Sequence, residues 1–319
     1  MQHLLKTIFV FSKSILAIIL FMELIIGIIG NGFMALVHCM DWVKRKKMSL
    51  VNQILIALAM SRISHLCLLF INLVIFFSYS GLTTTSRIIQ VIRNIWFIAN
   101  HFSIWLATCL SVLYFLKISN FSNSLFLYLK RRVEKVVLVT LLVSLVLLIL
   151  NVTLMNLEIN ICINEYQRNK SCSFSSHYYQ KCHKHVLKIH IIFLSVPFVL
   201  SLSTLLLLIS SLWTHHKNMK QHVQGSRDAR TMAHFKALQS VIVFFLLYSV
   251  LILSVLMQIW NHELLKKNIF IIFCHVVYIA FPSFHSCVLI LGDMKLRQAC
   301  LSVLWCLKFR PNYVETLDL

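Results

Sequence analysis

Seven long apolar runs limit what this chain of 319 residues can fold into more than any other feature of its sequence. A helix needs about 20 residues to cross the hydrocarbon core of a bilayer, and each run reaches that length. Only helices or closed barrels satisfy all backbone polar groups in lipid, and these runs are too long and too uniformly apolar for barrel strands. The sequence therefore predicts an all-α membrane protein, a bundle of seven transmembrane helices with spans at 16–37, 54–77, 95–116, 136–155, 191–213, 238–260 and 269–291.

The composition of the chain argues against a soluble protein. Hydrophobic residues make up 59% and charged residues 13% of the chain, whereas soluble domains have about 45–50% and about 25%. Six glycines and three prolines are too few for a collagen-like or disordered chain, or for the turns of a soluble Rossmann or TIM-barrel enzyme. We expect a single domain over residues 1–319 with no separate soluble domain, and a short amphipathic helix just after the last span.

The distribution of lysine and arginine predicts the orientation of the chain in the membrane. With the N-terminus outside, the inner segments hold 18 basic residues and the outer segments hold 11. Cytoplasmic loops carry the excess of Lys and Arg, so we predict an extracellular N-terminus and a cytoplasmic C-terminus. The formal net charge is +20. Because the basic residues lie between apolar runs, we expect membrane lipids and a cytoplasmic protein as their partners, and not nucleic acid.

The long outer loop at 156–190 contains candidate sites for covalent modification. Asn169 begins the sequon Asn-Lys-Ser, so we predict that it is glycosylated on the outer side of the membrane. The loop also contains Cys162, Cys172 and Cys182, and the sequence does not decide whether two of them form a disulfide. The histidines of this loop are more typical of a solvated segment than of a metal site, so we expect no bound metal.

Polar residues within three of the spans predict a hydrogen-bonded cluster. An ionisable group inside a span is costly and is a functional candidate. Arg62 lies roughly 12 Å from the inner end of span two, counted at 1.5 Å per residue. Asn31 in span one and Ser286 in span seven have similar depths, and His285 is adjacent to Ser286. We predict that the four residues meet in the inner third of the bundle; the alternative is that Arg62 extends to the inner interface as an anchor.

Six polar and aromatic residues in the outer half of spans three, six and seven predict a cavity that opens to the outside. The six are Trp96, Asn100, His101, Tyr248, His275 and Tyr278. Helical spacing places Trp96 and Asn100 on one face of span three, and His275 and Tyr278 on one face of span seven. Aromatic walls with a few polar groups are typical of a small-molecule pocket. The alternative for each aromatic residue is packing against lipid or a neighbouring helix.

The sequence lacks the motifs of the common enzyme classes. It contains no HExxH, no GxSxG and no phosphate-binding loop. Few carboxylates lie in or near a span, so catalysis by paired carboxylates has no candidate residues. We therefore expect no enzyme activity and no cofactor. A transporter or channel is the alternative to a receptor, but the repeated topology typical of many transporters is not visible.

Short motifs along nearly the whole chain carry a family resemblance. The motifs are Asn31-Gly32-Phe33 in span one, Leu58-Ala59-Met60-Ser61-Arg62 in span two, Trp105-Leu106-Ala107-Thr108 and Tyr114-Phe115-Leu116-Lys117-Ile118-Ser119-Asn120-Phe121-Ser122 in span three and beyond it, Pro197-Phe198 in span five, and His285-Ser286 with Leu289-Ile290-Leu291-Gly292 in span seven. Together they resemble the motifs of the bitter-taste receptors, the type 2 taste receptor family of G-protein-coupled receptors.

The resemblance implies a function for both groups of polar residues. A bitter agonist would bind against the six outer-half residues and shift the bundle between two arrangements, with Asn31, Arg62, His285 and Ser286 as the activation cluster. A gustducin-like G-protein α subunit would be the partner on the inner side, and the receptor would be a multi-pass protein of the plasma membrane. The residues implied to face the G protein are Lys117, Arg131, Lys220 and Arg230, for which lipid contact is the alternative.

Overall fold

Helices form every regular element in the parts of the chain that the computed structural model describes, which are residues 2–78, 86–168, 176–219, 229–260 and 268–308. The prediction of an all-α membrane protein is confirmed. In order, the helices are α1 (Gln2–Arg45), α2 (Leu50–Ser78), α3 (Ser86–Ile118), α4 (Ser124–Arg131), α5 (Val133–Arg168), α6 (Ser176–Met219), α7 (Ala229–Trp260), α8 (Asn268–Gly292) and α9 (Met294–Lys308).

The lengths and compositions of these helices fit the predicted bundle of seven spans. Among the described residues, six helices (α1, α2, α3, α5, α6 and α7) are long and apolar enough to cross a membrane. Helices α8 and α9 pass the same test only together, as a pair bent by 95°, and the pair gives the seventh span when it is counted as one. Helices α1 and α6 have 44 residues each. Since a bilayer requires about 20 residues, these helices continue beyond the predicted apolar runs.

Helix α3 occupies the centre of the bundle. It packs against α2, α4, α5, α6 and α7. The other helices also contact one another: α1 packs against α2 and α8, α6 packs against α5 and α7, and α7 packs against α8. The most apolar stretch of α3 is 72% buried, compared with 22% for α1 and α5. Residues on α3 therefore contact most of the other helices, whereas α1 and α5 present apolar side chains such as Ile18 and Ile149 to the lipid.

One end of the bundle, here called the α4 end, holds α4, α9 and the last turn of α1. Helix α4 was not predicted from the sequence. Asn123 caps it by accepting a hydrogen bond from the backbone N–H of Leu125 at 2.9 Å, which satisfies one of the free donors at a helix start. Lys130 near its other end donates to the carbonyl of Ser119 and to Oδ1 of Asn120, both at 2.7 Å. These bonds attach α4 to the end of α3.

Helix α9 turns away from α8 at Asp293, as the expectation of a short helix after the last span requires. The carboxylate of Asp293 accepts hydrogen bonds from the backbone N–H groups of Lys295 at 2.8 Å and Leu296 at 3.1 Å. The side chain of Lys295 reaches Asp41 of α1 at 3.0 Å, and Asp41 also pairs with Arg45 at 2.8 Å. The corner is therefore fixed by a helix cap and by an ion pair to α1.

The opposite end of the bundle, here called the disulfide end, is closed by a bond between Cys162 of α5 and Cys182 of α6. The structure thus pairs two of the three loop cysteines. Glu158 and His185 lie 3.2 Å apart near the same two helix ends. Cys172 and the sequon residue Asn169 are outside the described residues.

Candidate functional site

The structure brings together the four polar residues of the predicted cluster. Nη1 of Arg62 donates to Oγ of Ser286 at 2.7 Å, and Oγ of Ser286 donates to Oδ1 of Asn31 at 2.7 Å. Nη2 of Arg62 donates to Nδ1 of His285. Because a guanidinium can only donate, this nitrogen of His285 accepts and its proton lies on Nε2. All four side chains are at most 1% exposed, so Arg62 is a buried member of the cluster and not an anchor at the interface.

A close approach of α1 to α8 holds this cluster in place. Oγ of Ser283 donates to the carbonyl of Glu23 at 3.0 Å, and a Cβ added to Gly27 would collide with that same Oγ. Nδ2 of Asn31 donates to the carbonyl of Gly27 at 2.7 Å, which fixes the orientation of the amide toward Ser286. The absence of a side chain at Gly27 is therefore what lets α1 and α8 meet at this depth.

No carboxylate neutralises Arg62 among the ion pairs of the described residues. Its charge is stabilised instead by neutral oxygen and nitrogen acceptors on α8. Hydrogen bonds that involve a charged donor are stronger than neutral ones, so they hold α2 against α8 across a buried interface. A rotation or shift of α8 would have to break both of these bonds together.

Trp96 is the centre of an aromatic cluster nearer the disulfide end. Its ring lies 5.5 Å from the ring of Tyr278, 5.7 Å from that of His65 and 6.3 Å from that of His190, measured between centroids. Two of the predicted pocket residues, Trp96 and Tyr278, are thus in contact, and they join α3 to α8. His65 was not predicted from the sequence, although an ionisable residue inside span two is the same signal that identified Arg62.

Asn100 and His101 line a cavity between α3, α5 and α6. Its volume is about 10 Å³, and its other lining residues are Ile104, Trp105, Asn151, His190, Phe193, Leu194 and Pro197. Nε2 of His101 donates to the backbone carbonyl of Ser144 at 2.9 Å, which fixes the imidazole against α5. Pockets for drug-sized ligands have volumes of about 300 Å³ or more, so this cavity is closed to such a ligand in the conformation described.

Tyr248 lies on the far side of the cavity wall. Its hydroxyl donates to the carbonyl of Leu194 at 2.6 Å, and its ring packs against Phe198, Phe244 and Phe281 at centroid distances of 5.5–5.9 Å. The described contacts of Tyr248 are with α6, α7 and α8 and not with Asn100 or His101. The side chain of His275, in the first half of α8, is outside the described residues.

The basic residues predicted to face a partner are divided between described and undescribed parts of the chain. Lys117, at the end of α3, and Arg131, on α4, are exposed at the α4 end. Lys220 lies outside the described residues, as does the side chain of Arg230 in the first turn of α7. Lys130 was not singled out from the sequence, although its bonds to Ser119 and Asn120 position α4.

Comparison with known proteins gives a consistent result along the chain. The model of the family described as "Taste receptor protein (TAS2R)" matches residues 9–308. The chain is 76% identical to taste receptor type 2 member 117 of Rattus norvegicus and 69% identical to member 109 of the same species, and each alignment covers 100% of both chains. It is 52% identical over 303 residues to member 14 of Macaca mulatta, covering 95% of each chain.

Proposed function

This chain belongs to the TAS2R family, the bitter-taste receptors that couple to G proteins, and we propose that small bitter compounds bind it between the disulfide end and the middle of the bundle. The residues proposed to contact the agonist are Trp96, Asn100, His101, Tyr248, His275 and Tyr278. Asn100 carries the proposal: it is 1% exposed, and its Nδ2 has no hydrogen-bond partner in the described part of the chain. Buried amide groups are nearly always paired, so this donor is available to a ligand.

The neighbours of Asn100 supply the rest of a ligand site. Trp96 is one helical turn away on α3, and its indole Nε1 is also buried without a partner among the described residues. Its contact with Tyr278 extends an aromatic wall from α3 to α8. Aromatic walls with a small number of unpaired polar groups are what a pocket for small organic molecules requires.

Agonist binding requires a more open arrangement of these helices. Because the cavity beside Asn100 is about 10 Å³, an agonist must separate packed rings such as Trp96 and Tyr278. A ligand that binds the open arrangement more tightly shifts the population toward it. We propose that the cluster of Asn31, Arg62, His285 and Ser286 is the polar element that changes its arrangement in response.

The α4 end is proposed to face the cytoplasm and a gustducin-type G-protein α subunit in the plasma membrane. The excess of basic residues in the segments at this end supports that orientation. Lys117 and Arg131 are exposed there, and we propose that they contact the α subunit together with Lys220 and Arg230. Anionic lipid headgroups are the other counter-charges available to these side chains.

Receptor function is tested by expression with a chimeric gustducin-type α subunit and by calcium recording against a panel of bitter compounds. We expect responses that require the α subunit. Responses that persist in cells without the α subunit would contradict the proposal and would instead indicate a channel.

Substitution of Asn100 tests the pocket. We expect Asn100→Ala to reduce agonist potency by roughly 2- to 10-fold, because the loss of one hydrogen bond costs about 0.5–1.5 kcal/mol. Most of the surface expression should be retained, since Nδ2 of Asn100 has no protein partner among the described residues. Asn160→Ala, at an exposed position of α5, is the control. A dose–response curve that Asn100→Ala leaves in place would refute the assignment.

A further inference from the structure

The cavity between α3, α5 and α6 has unpaired polar atoms on all three helices. Nδ2 of Asn100 on α3, Oδ1 of Asn151 on α5 and both ring nitrogens of His190 on α6 are buried without a hydrogen-bond partner among the described residues. These three side chains are 1%, 2% and 3% exposed, and all three line the cavity. An unpaired buried polar group costs about 1–3 kcal/mol. Three of them around one space therefore indicate a common partner.

A proline adds a backbone acceptor to the same wall. Pro197 lies inside α6 and has no N–H, so the carbonyl of Phe193, four residues earlier, cannot accept the usual helical hydrogen bond. Both Pro197 and Phe193 line the cavity. Backbone groups freed by a proline in a transmembrane helix are satisfied by neighbouring helices, side chains or ordered water.

The size and chemistry of the cavity match a single water molecule. Its volume of about 10 Å³ is close to the minimum that one water requires, and a buried water makes two to four hydrogen bonds. Its wall offers two donors, the Nδ2 group of Asn100 and an N–H of His190. Oδ1 of Asn151 is one acceptor of this wall, and we assign as the second the carbonyl of Phe193, a lining residue whose carbonyl Pro197 leaves without its helical donor. The two donors and two acceptors correspond to the two lone pairs and two O–H groups of water.

We propose that this cavity is a binding site for one water molecule, which accepts hydrogen bonds from Asn100 and His190 and donates to Asn151 and the carbonyl of Phe193. The water joins α3, α5 and α6 at a depth where no direct side-chain bond among these residues does so in the described structure. The assignment describes the receptor without agonist and goes beyond the proposed ligand site, because an agonist that bonds Nδ2 of Asn100 would displace this water. Its test uses no agonist, so the failure of one proposal is distinguishable from the failure of the other.

Radiolytic footprinting of the purified full-length receptor tests the site. A short X-ray pulse converts bound water to hydroxyl radicals, which oxidise the adjacent side chains, and peptide mass spectrometry locates the added oxygen. Trp105 is 3% exposed and lines the cavity, and we expect it to be oxidised together with Phe193. Phe244 is 0% exposed and is not among the cavity residues, and it should remain unmodified.

The wild-type receptor alone decides the proposal. If Trp105 and Phe193 stay as unmodified as Phe244 while the exposed Tyr128 is oxidised, the cavity holds no water and the proposal is wrong. Dilution of the receptor into water enriched in oxygen-18 just before the pulse shows whether the oxygen added to a side chain comes from bound water or from bulk solvent. A slowly exchanging bound water leaves oxygen-16 on Trp105, whereas bulk solvent leaves oxygen-18 on Tyr128, so oxygen-16 at Trp105 identifies the bound water as the source of the oxidation and supports the proposal.

Two variants test the assigned partners. Asn151→Leu keeps a similar side-chain volume and removes the acceptor, so we expect loss of oxidation at Trp105 and Phe193. Asn156→Leu is the matched control on the same helix, because Oδ1 of Asn156 accepts from Gln90 at 3.1 Å away from the cavity, and it should retain the oxidation. His190→Phe provides a second removal should Asn151→Leu not fold. Unchanged oxidation in a folded Asn151→Leu or His190→Phe receptor would overturn the assignment of partners.

Discussion

Arg62 is a fully buried guanidinium whose two terminal nitrogens donate to Ser286 and His285 on another helix. An arginine at this depth of a membrane is expensive by itself. Its cost is offset because its partners are fixed in place, Ser286 by Asn31 and Asn31 by the carbonyl of Gly27. The cluster is therefore a chain of bonds in which each member positions the next.

Removal of this guanidinium should affect the whole receptor. We expect Arg62→Ala to lower the melting temperature of the solubilised receptor, because each buried polar group left without its partner costs about 1–3 kcal/mol. Surface expression and the response to every agonist should fall together. Arg131→Ala, at an exposed position of α4, is the control and should retain the wild-type melting temperature. A loss confined to some agonists would show that Arg62 belongs to the pocket and not to a general switch.

Depth along a helix explains which of these contacts the sequence predicts. Asn31, Arg62 and Ser286 were predicted to meet because each lies at a similar distance from the inner end of its span. Depth does not give the rotation of a helix about its own axis, so the contact of His65 with Trp96 was not predicted. The shared cavity of Asn151 and His190 was missed for the same reason, because it depends on how α5 and α6 face α3.

At the scale of helices, the contact of α1 with α8 depends on a missing side chain. A Cβ on Gly27 would collide with Oγ of Ser283 and would lie 2.8 Å from Cδ1 of Leu66. The hydroxyl of Ser283 cannot rotate away without losing its bond to the carbonyl of Glu23. One methyl group at this position must therefore either break that hydrogen bond and displace the side chain of Leu66 or move a helix.

A comparison of two glycine substitutions on α1 tests the close contact of α1 with α8. We expect Gly27→Ala to destabilise the receptor by about 1–3 kcal/mol, the usual cost of overpacking a core. Gly32→Ala should be stabilising by about 0.5–1 kcal/mol, because its Cβ meets nothing within 4 Å and alanine favours a helix. Thermal unfolding of the two solubilised variants gives the comparison. Equal melting temperatures would contradict the close approach.

The hydrogen bonds from Lys130 of α4 to the end of α3 give a second prediction at the scale of helices. We expect Lys130→Met to increase hydrogen exchange in α4, because it removes two bonds of 2.7 Å to Ser119 and Asn120. Arg131→Met retains both hydrogen bonds of Lys130 and should leave hydrogen exchange in α4 at the wild-type rate. If both variants exchange alike, Lys130 does not position α4.

Helix α4 shows where prediction from sequence reaches its limit for a whole element. The helix has eight residues, too few for a clear helical period between two longer spans. Its position depends on Lys130 and on Phe126, which packs against Phe115 of α3 at a centroid distance of 5.5 Å. Neither contact follows from the sequence between α3 and α5 alone.

The molecule as a whole was the easiest level to predict. The thickness of a bilayer fixes the length of a span, so seven apolar runs lead directly to a prediction of seven spans. The order in which those helices pack around α3 does not follow from hydropathy, because every run is apolar on most of its surface. The high burial of α3, 72% over its most apolar stretch, is therefore a result of the structure.

The orientation of the bundle is predicted from its charge. We expect an epitope at the N-terminus to be stained by antibody on intact cells, and an epitope at the C-terminus to be stained only after permeabilisation, because short loops rich in Lys and Arg favour the cytoplasmic side. Flow cytometry of the two tagged receptors measures this. The reverse pattern of staining would place the α4 end outside and would remove the basis for a G-protein partner there.

The right-angled corner at Asp293 has a practical consequence for anyone who attaches a reporter to this receptor. Because α9 leaves α8 at 95° and Lys295 is tied to Asp41, a fluorescent protein fused after Lys308 starts beside the bundle and not underneath it. We expect such a fusion to leave the ends of α3 and α6 uncovered, so that an energy-transfer signal from it could report the binding of a protein there without blocking it.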